Sequence, residues 1–259
     1  MYSHVAELYD TVYEKRTQDV AFYASVVADV VGDGARVLEV GAGTGRVLLP
    51  LAAEHPGSRF VALDIDRDEL DVLEQAAADR GLANVEVRHG GVAELRDERS
   101  FDLVIAPFRV LQHALSTEEL QTAFTRIAEA LAPGGTFVFD LFNPSIPMLA
   151  VTGLLVREDH ESADGTTFTR SVYVNERDHF AQTQLVEERY EVKDESGAVT
   201  PFEWIYTTRY FFRDEVVPLL VAAGLSVAMI YGSFDREVFG TAPYPGELIF
   251  VCRRDDGQF

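Results

Sequence analysis

A chain of 259 residues, 47 % of them hydrophobic, is long and apolar enough to bury one large core. Its formal net charge of −21 repels phosphate backbones, and no basic cluster offsets this charge, which argues against nucleic acid as a partner or substrate. No apolar run approaches the ~18 residues of a membrane span, and the first residues do not resemble a signal peptide, so we expect a cytoplasmic protein with no membrane partner.

Residues 1–35 are predicted to form an N-terminal helical segment. Apolar side chains at near-helical spacing, from Val20 to Val30, indicate an amphipathic helix over about 16–31 that packs on the rest of the chain. Gly32 and Gly34 end this helix.

Residues 36–144 alternate between predicted strands and helices and form the predicted core. The predicted strands are 36–40, 59–63, 85–89, 101–105 and 136–141, and the helices between them are about 44–54, 66–80 and 117–131, the last ended by a turn at 133–135. Repeated βα units with continuous apolar strands indicate a parallel sheet covered by helices on both faces.

Residues 145–212 change pattern and are predicted to be an insertion. Three stretches that alternate polar with β-branched or aromatic residues, 165–175, 180–193 and 198–212, indicate antiparallel strands. Residues 213–259 then return to the core with a helix and two strands. The predicted fold is therefore a single α/β domain: a Rossmann-like, seven-stranded, mostly parallel sheet with helices on both faces and an antiparallel β insertion after strand five.

A glycine-rich turn follows the first strand, with the pattern Glu39-x-Gly41-x-Gly43-x-Gly45. Such a turn at a helix N-terminus is typical of sites for adenosine-containing ligands. The dinucleotide fingerprint G-x-G-x-x-G needs a glycine at the position of Arg46, so this loop has a different spacing.

The turn resembles motif I of the class I S-adenosylmethionine-dependent methyltransferases, and residues 101–109 and 131–135 resemble later motifs of that family. The resemblance implies S-adenosyl-L-methionine as cofactor and S-adenosyl-L-homocysteine as product. It implies that Asp64 accepts the ribose hydroxyls, that Ile65 lies against the adenine, and that Gly91 replaces an aspartate common in the family. The predicted cofactor-binding residues are Tyr13, Glu39, Gly41, Ala42, Gly43, Gly45, Asp64, Ile65, Gly91, Val92, Ala106 and Pro107.

The predicted substrate is a small metabolite. The segment Ala106-Pro107-Phe108 lacks the polar residue and second proline of the motif in amino methyltransferases acting on DNA bases, whereas residues 107–113 and 140–144 are similar to methyltransferases of the glycine and sugar-amine type. In-line displacement onto N or O of the acceptor is expected. Two alternatives stay open: non-methyl chemistry, as in a cyclase, and a binding role without turnover.

His113 is the predicted general base because it follows strand four, although it equally suits a structural role as an anchor of the helix after that strand. Predicted substrate contacts are Tyr9, Arg109, Asn143 and Tyr210.

The insertion contributes aromatic residues that either line the substrate pocket or pack on the sheet, namely Tyr173, Trp204, Tyr206 and Tyr210. No metal is expected, because Asp140 and Asn143 stand without a carboxylate from strand four. A homodimer is compatible with these expectations.

Overall fold

The computed structural model describes residues 8–9, 11–193, 197–241 and 243–255. The helices are α1 (Gln18–Val30), α2 (Leu48–Glu54), α3 (Arg67–Asp79), α4 (Thr117–Ala130), α5 (Ile146–Leu149) and α6 (Arg213–Ala222). The strands are β1 (Arg36–Val40), β2 (Arg59–Asp64), β3 (Val85–His89), β4 (Phe101–Ala106), β5 (Leu131–Phe142), β6 (Gly153–Glu161), β7 (Thr167–Asp178), β8 (Thr183–Lys193), β9 (Val199–Arg209), β10 (Leu225–Tyr231) and β11 (Glu247–Arg254).

The main sheet has seven strands in the order β10-β11-β5-β4-β1-β2-β3. Neighbouring strands from β5 to β3 are parallel, and β11 runs antiparallel to both β5 and β10. The central strands are buried on both faces, which explains their continuous apolar sequences. This sheet confirms the predicted fold class.

Two apolar layers sandwich the sheet. The first lies under α4 and α6 and includes Leu38, Phe124 and Phe250. The second lies under α1, α2 and α3 and includes Tyr23 and Phe60. Because side chains alternate along a strand, residues of β1 and β5 that point toward α1 include the polar Glu39 and Asp140, which are buried there.

Among the elements of the core, the start of α2 and the start of β5 differ most from their predicted positions. Helix α2 begins at Leu48 instead of 44, because residues 41–45 are taken up by the glycine turn, with Gly45 N–H bonded to Ala42 O. Strand β5 begins at Leu131, which pairs with Phe101, and the register shifts before Leu103 pairs with Thr136. The predicted turn at 133–135 is therefore an irregular part of β5.

The insertion forms a separate antiparallel sheet in the order β6-β7-β8-β9. Strand β6 was not predicted, because its sequence GLLVREDHE leaves Leu154, Leu155 and Val156 exposed and shows no regular alternation. The insertion contacts the core where Gln112 Nε2 donates to Arg209 O at 3.0 Å. The proposed domain limits at 35, 144 and 212 stay predictions, and residues 1–7 of the first segment lie outside the described residues.

None of the helices in the described part of the chain has the length and hydropathy needed to cross a bilayer.

Candidate active site

Strand β1 leads into the glycine turn at the carboxyl edge of the sheet. Gly41 and Gly43 have φ of 72° and 52°, in the left-handed region that favours glycine. A Cβ on Gly41 would lie 2.2 Å from Val110 Cγ2, and one on Gly43 would lie 3.1 Å from Glu69 Oε2. The turn therefore packs too closely against Val110 and Glu69 to accept a side chain at either glycine.

Glu39 lies beneath this turn and is 2 % exposed. Burial raises the pKa of Glu39 well above its usual value, and the nearby Arg46 guanidinium opposes this shift. Its Oε2 has no hydrogen-bond partner among the described residues. A buried carboxyl oxygen without a partner is costly, which indicates a site for a donor that the protein itself does not supply.

Asp64 ends β2 next to the turn. Its Oδ2 accepts from Gly43 N–H at 2.8 Å and its Oδ1 from Asp66 N–H at 2.9 Å. Asp66 caps α3 by accepting from the N–H groups of Asp68 and Glu69. Capping thus falls to Asp66, and Asp64 is held against the glycine turn.

The outer edge of the turn is formed by residues after β2 and β3. Ile65 is 74 % exposed, and a Cβ on Gly91 would lie 3.6 Å from its Cγ2. Gly91 N–H approaches Glu94 Oε2 at 3.4 Å, and Val92 begins the short 3-10 helix that carries Glu94. An apolar side chain and a carboxylate therefore flank the position where the aspartate of the family pattern is missing.

The segment after β4 is strained. Ala106 and Pro107 are buried, and Phe108 and Arg109 follow with φ of 57° and 64°, a rare conformation for two consecutive residues that are not glycine. Phe108 N–H donates to Asp140 Oδ1 at 2.8 Å and stabilises this turn. Strain of this kind is concentrated at functional sites.

Asp140 connects the strained turn to helix α1. Its Oδ1 also accepts from the Tyr23 hydroxyl at 2.7 Å, while Oδ2 has no partner among the described residues. Burial raises the pKa of Asp140 to about 6, against the hydrogen bond from Tyr23.

Arg109 and Asn143, two predicted substrate contacts, are engaged within the protein. The Arg109 guanidinium pairs with Glu247 Oε2 at 3.1 Å, and Asn143 Nδ2 donates to Pro245 O. The Arg109 Nε has no hydrogen-bond partner among the described residues, and contact of Arg109 with the substrate stays a prediction.

An aromatic cluster covers the strained turn. Tyr9 and Tyr13, in a helical stretch before α1, have ring centroids 4.6 Å apart, and the Tyr13 ring lies 4.7 Å from that of Phe108. The guanidinium carbons of Arg16 and Arg46 each lie 4.9 Å from the Phe108 centroid. The N-terminal segment thus closes over the end of β4.

His113 ends a 3-10 helix, Val110–His113, directly after this turn. Gln112 fastens this helix, since it donates to Arg209 O and accepts from Phe142 N–H at 2.9 Å, the anchoring role considered for His113. The His113 ring lies 5.8 Å from that of Tyr206 on β9. Loss of hydration lowers the pKa of His113, opposed by the Asp64 charge, so the imidazole is neutral at neutral pH.

A buried polar network on the inserted sheet lies beside His113. Glu188 accepts from Arg170 Nε, Tyr190 Oη and Tyr206 Oη, each at 2.8 Å. Arg170 also donates to Tyr13 Oη at 2.9 Å, which links the network to the aromatic cluster. Tyr206 and Tyr13 therefore join the inserted sheet to the core site.

Other aromatic residues of the insertion lie elsewhere. The Tyr210 hydroxyl pairs with His179 Nδ1 at 3.0 Å and its ring contacts Phe212, so these contacts do not bring it to Tyr9 or His113. Tyr173 lies under the Arg189 guanidinium, 4.7 Å away. Of the predicted insertion aromatics, Tyr206 contacts His113, and the Trp204 ring is tilted by 40° against that of Tyr206, with centroids 4.6 Å apart.

No motif in the sequence indicated four residues of this site, namely Asp19, Tyr23, Arg170 and Glu188. These residues come from segments distant from the glycine turn, so no local spacing indicates them. An acidic residue inside an otherwise apolar strand or helix is a sequence signal of a buried functional carboxylate, and both Asp19 and Asp140 show it.

Across the described ranges, no three His, Cys, Asp or Glu side chains converge in a way that holds a metal ion. The site does fit an adenosine-containing cofactor. The side-chain-free glycine turn, the orphaned Glu39 oxygen below it and the Asp64 carboxylate beside it supply the surfaces that such a group requires.

Comparisons with known proteins agree with this geometry. A family described as a methyltransferase domain matches residues 37–135. A dTDP-3-amino-3,4,6-trideoxy-alpha-D-glucopyranose N,N-dimethyltransferase from Streptomyces venezuelae is 28 % identical over 88 % of this chain and 92 % of its own. The methyltransferase CcbJ from Streptomyces caelestis is 28 % identical, with a TM-score of 0.72 over 92 % of this chain and 90 % of its own.

An S-adenosylmethionine-dependent methyltransferase from Clostridium acetobutylicum has the same fold, with a TM-score of 0.80 at 15 % identity over 98 % of this chain and 99 % of its own. The glycine turn, the seven-stranded sheet and these similarities agree with one another. The chain is an S-adenosylmethionine-dependent methyltransferase whose methyltransferase domain matches over residues 37–135.

Proposed function

We propose that this enzyme transfers a methyl group to the nitrogen of a small-molecule amine of the amino-sugar type. The observation that carries the proposal is the position of His113, which ends the 3-10 helix after β4 and has its ring 5.8 Å from that of Tyr206 on the inserted sheet. Val110 of the same 3-10 helix packs on Gly41 of the glycine turn. The similarity to an amino-sugar N,N-dimethyltransferase over most of both chains supports the same acceptor class.

The cofactor-binding residues would be those of the turn and its edges. Gly41, Ala42, Gly43 and Gly45 would hold the methionine part from below, with Glu39 beneath them. Asp64 would accept the ribose hydroxyls, and Ile65, Gly91 and Val92 would flank the adenine. Tyr13, Ala106 and Pro107 would close the side nearest the acceptor. When bound, S-adenosylmethionine supplies a sulfonium methyl that is already activated for displacement.

The remaining residues position the acceptor and move a proton. An amine attacks only with a free lone pair, so a protonated amine must first lose a proton, and the neutral His113 imidazole is placed to accept it. Tyr9, Tyr13 and Phe108 form an aromatic cover that keeps water from the reacting atoms. The inserted sheet completes the enclosure through Tyr206.

The acidic surface supports a small acceptor over nucleic acid, because a charge of −21 repels a phosphate backbone. A cytoplasmic location and a homodimer remain part of the proposal. Cell fractionation tests the location, and light scattering on the purified protein tests the dimer.

The test is methyl transfer from S-adenosylmethionine carrying an isotope-labelled methyl group. The acceptors are an amino-deoxyhexose methyl glycoside and the matching hexose methyl glycoside, which has a hydroxyl in place of the amine. We expect label on the nitrogen of the first compound and none on the second. Label on oxygen only, or on neither with cofactor binding verified, would overturn the proposed acceptor class.

A further inference from the structure

The direction of one hydrogen bond decides what the Tyr206 hydroxyl can offer a ligand. This hydroxyl donates to Glu188 Oε1 at 2.8 Å. A phenol has one proton, so its remaining capacity is to accept. Burial, followed by the Glu188 charge, raises the pKa of Tyr206, so the hydroxyl keeps the proton that it donates.

Two further hydrogen bonds hold the Glu188 carboxylate in place, so it stays the acceptor in its bond with the Tyr206 hydroxyl. The residue is 3 % exposed, and its Oε2 accepts from Arg170 Nε and from Tyr190 Oη. Arg170 also pairs with Glu158 at 2.8 Å. One guanidinium therefore faces two carboxylates, and the group carries an excess of negative charge behind Tyr206.

Tyr206 lies at the acceptor side of the site. Its ring is 5.8 Å from that of His113, and the β9 strand that carries it ends where Gln112 Nε2 bonds to Arg209 O. Tyr13, which contacts Phe108 of the strained turn, is joined to the same network through Arg170. The Tyr206 ring thus lies beside the imidazole that is placed to accept the proton.

We propose that Tyr206, oriented by Glu188, is a specificity-determining residue that accepts an N–H hydrogen bond from the acceptor amine and selects it in its ammonium form. An acceptor-only oxygen backed by a carboxylate complements a charged N–H donor better than a neutral hydroxyl. This inference rests on the proposed amine acceptor and adds the residue that recognises it.

Tyr190 provides a matched control. It makes the same 2.8 Å bond to Glu188, but it is 0 % exposed and packs with Leu8 and Phe168. Tyr206→Phe and Tyr190→Phe each remove one phenolic donor from the same carboxylate. Only the first changes the residue whose ring lies beside His113.

The experiment is calorimetric binding of the amino-deoxyhexose methyl glycoside and its hydroxyl counterpart, with the full-length protein saturated with S-adenosylhomocysteine. We expect the wild type to prefer the amine by ~10-fold or more, as a hydrogen bond with a charged donor gives. Tyr206→Phe should reduce this preference to near one, and Tyr190→Phe should keep it. In the methylation assay, Tyr206→Phe should raise KM for the amine more than it lowers kcat.

Equal affinity of the wild type for both glycosides would overturn the inference. The inference would also be overturned if Tyr206→Phe kept the preference for the amine glycoside. An equal loss of that preference in Tyr190→Phe would overturn it too, because both phenols would then act by stabilising Glu188. Failure of the proposed function is distinguishable, because it appears as amine binding without methyl transfer.

Discussion

Arg46 forms a two-pronged ion pair with Asp19, with nitrogen–oxygen distances of 3.1 and 2.6 Å. Arg46 stands where the dinucleotide fingerprint has its third glycine, and Asp19 lies in the first turn of α1. The same guanidinium donates to Arg16 O at 3.1 Å. The residue that departs from the dinucleotide pattern therefore fastens the N-terminal helix over the glycine turn.

Replacing Arg46 tests this connection. Arg46→Ala leaves the Asp19 carboxylate, 1 % exposed, with only the Arg16 Nε at 3.7 Å as a cationic partner, so we expect a loss of about 3 kcal/mol in the free energy of unfolding. The control is Arg67→Ala, which removes an exposed ion pair with Asp71 and should cost about 1 kcal/mol or less. Urea denaturation measures both, and equal losses would contradict the structural role of Arg46.

Gly43→Val should abolish cofactor binding. The branched side chain would occupy the space above the turn, and we expect affinity for S-adenosylhomocysteine to fall by ~100-fold or more, as two lost contacts of about 1.4 kcal/mol each would give. Gly34→Val is the matched control, because Gly34 also has a positive φ of 83° but has nothing within 4 Å of an added Cβ. Both variants should lose similar stability by calorimetry. Retained binding in a folded Gly43→Val protein would refute the predicted cofactor position.

His113→Ala should leave cofactor affinity unchanged and lower turnover by ~10²–10⁴-fold if the imidazole accepts the amine proton. In the wild type, activity should rise with pH as His113 loses its proton. The midpoint should lie below the ordinary histidine value, because loss of hydration lowers the pKa of His113. This limb should disappear from the pH profile of the variant. If His113→Ala changes neither the turnover nor the pH profile, His113 has a structural role only.

Asp140→Asn should change the pH dependence of stability. The folded pKa of Asp140, about 6, lies above its ordinary value of 3.8, so its stabilising contribution is complete below about pH 4 and is lost as pH rises through 6. The asparagine keeps an oxygen for Tyr23 and Phe108 and cannot ionise. We therefore expect the variant to be more stable than the wild type at pH 8, by up to about 3 kcal/mol, and similar at pH 4. Denaturation at both pH values measures this, and a less stable variant at pH 8 would contradict the raised pKa.

Much of the core fold could be predicted because apolar strands alternate with amphipathic helices from Arg36 to Ala130. The hydrophobic pattern did not predict the start of β5 or the presence of β6. Leu131 pairs with Phe101 before an irregular stretch, so Pro133 and the glycines after it did not mark the start of the strand. Strand β6 carries exposed apolar residues and charges together, so its sequence gave no period-two signal.

Local sequence motifs likewise predicted some residues of the site and not others. Glu39, the glycine turn and Asp64 are adjacent in sequence to the strand ends that position them, so local motifs indicated them. Tyr206 and Glu188 reach the site only because the inserted sheet packs beside His113, at the end of the 3-10 helix after β4. Local residue spacing cannot predict this long-range contact. The pairing of Arg109 with Glu247, 138 residues away, could likewise not be predicted from local spacing.

The most direct test is a crystal structure with S-adenosylhomocysteine and the amino-deoxyhexose glycoside. We expect the product cofactor to lie on the 41–45 turn with its ribose at Asp64. We expect the acceptor nitrogen to lie within hydrogen-bond distance of the Tyr206 oxygen, on the side of the sulfur that faces His113. A cofactor bound away from this turn, or an acceptor nitrogen remote from both Tyr206 and His113, would contradict these expectations.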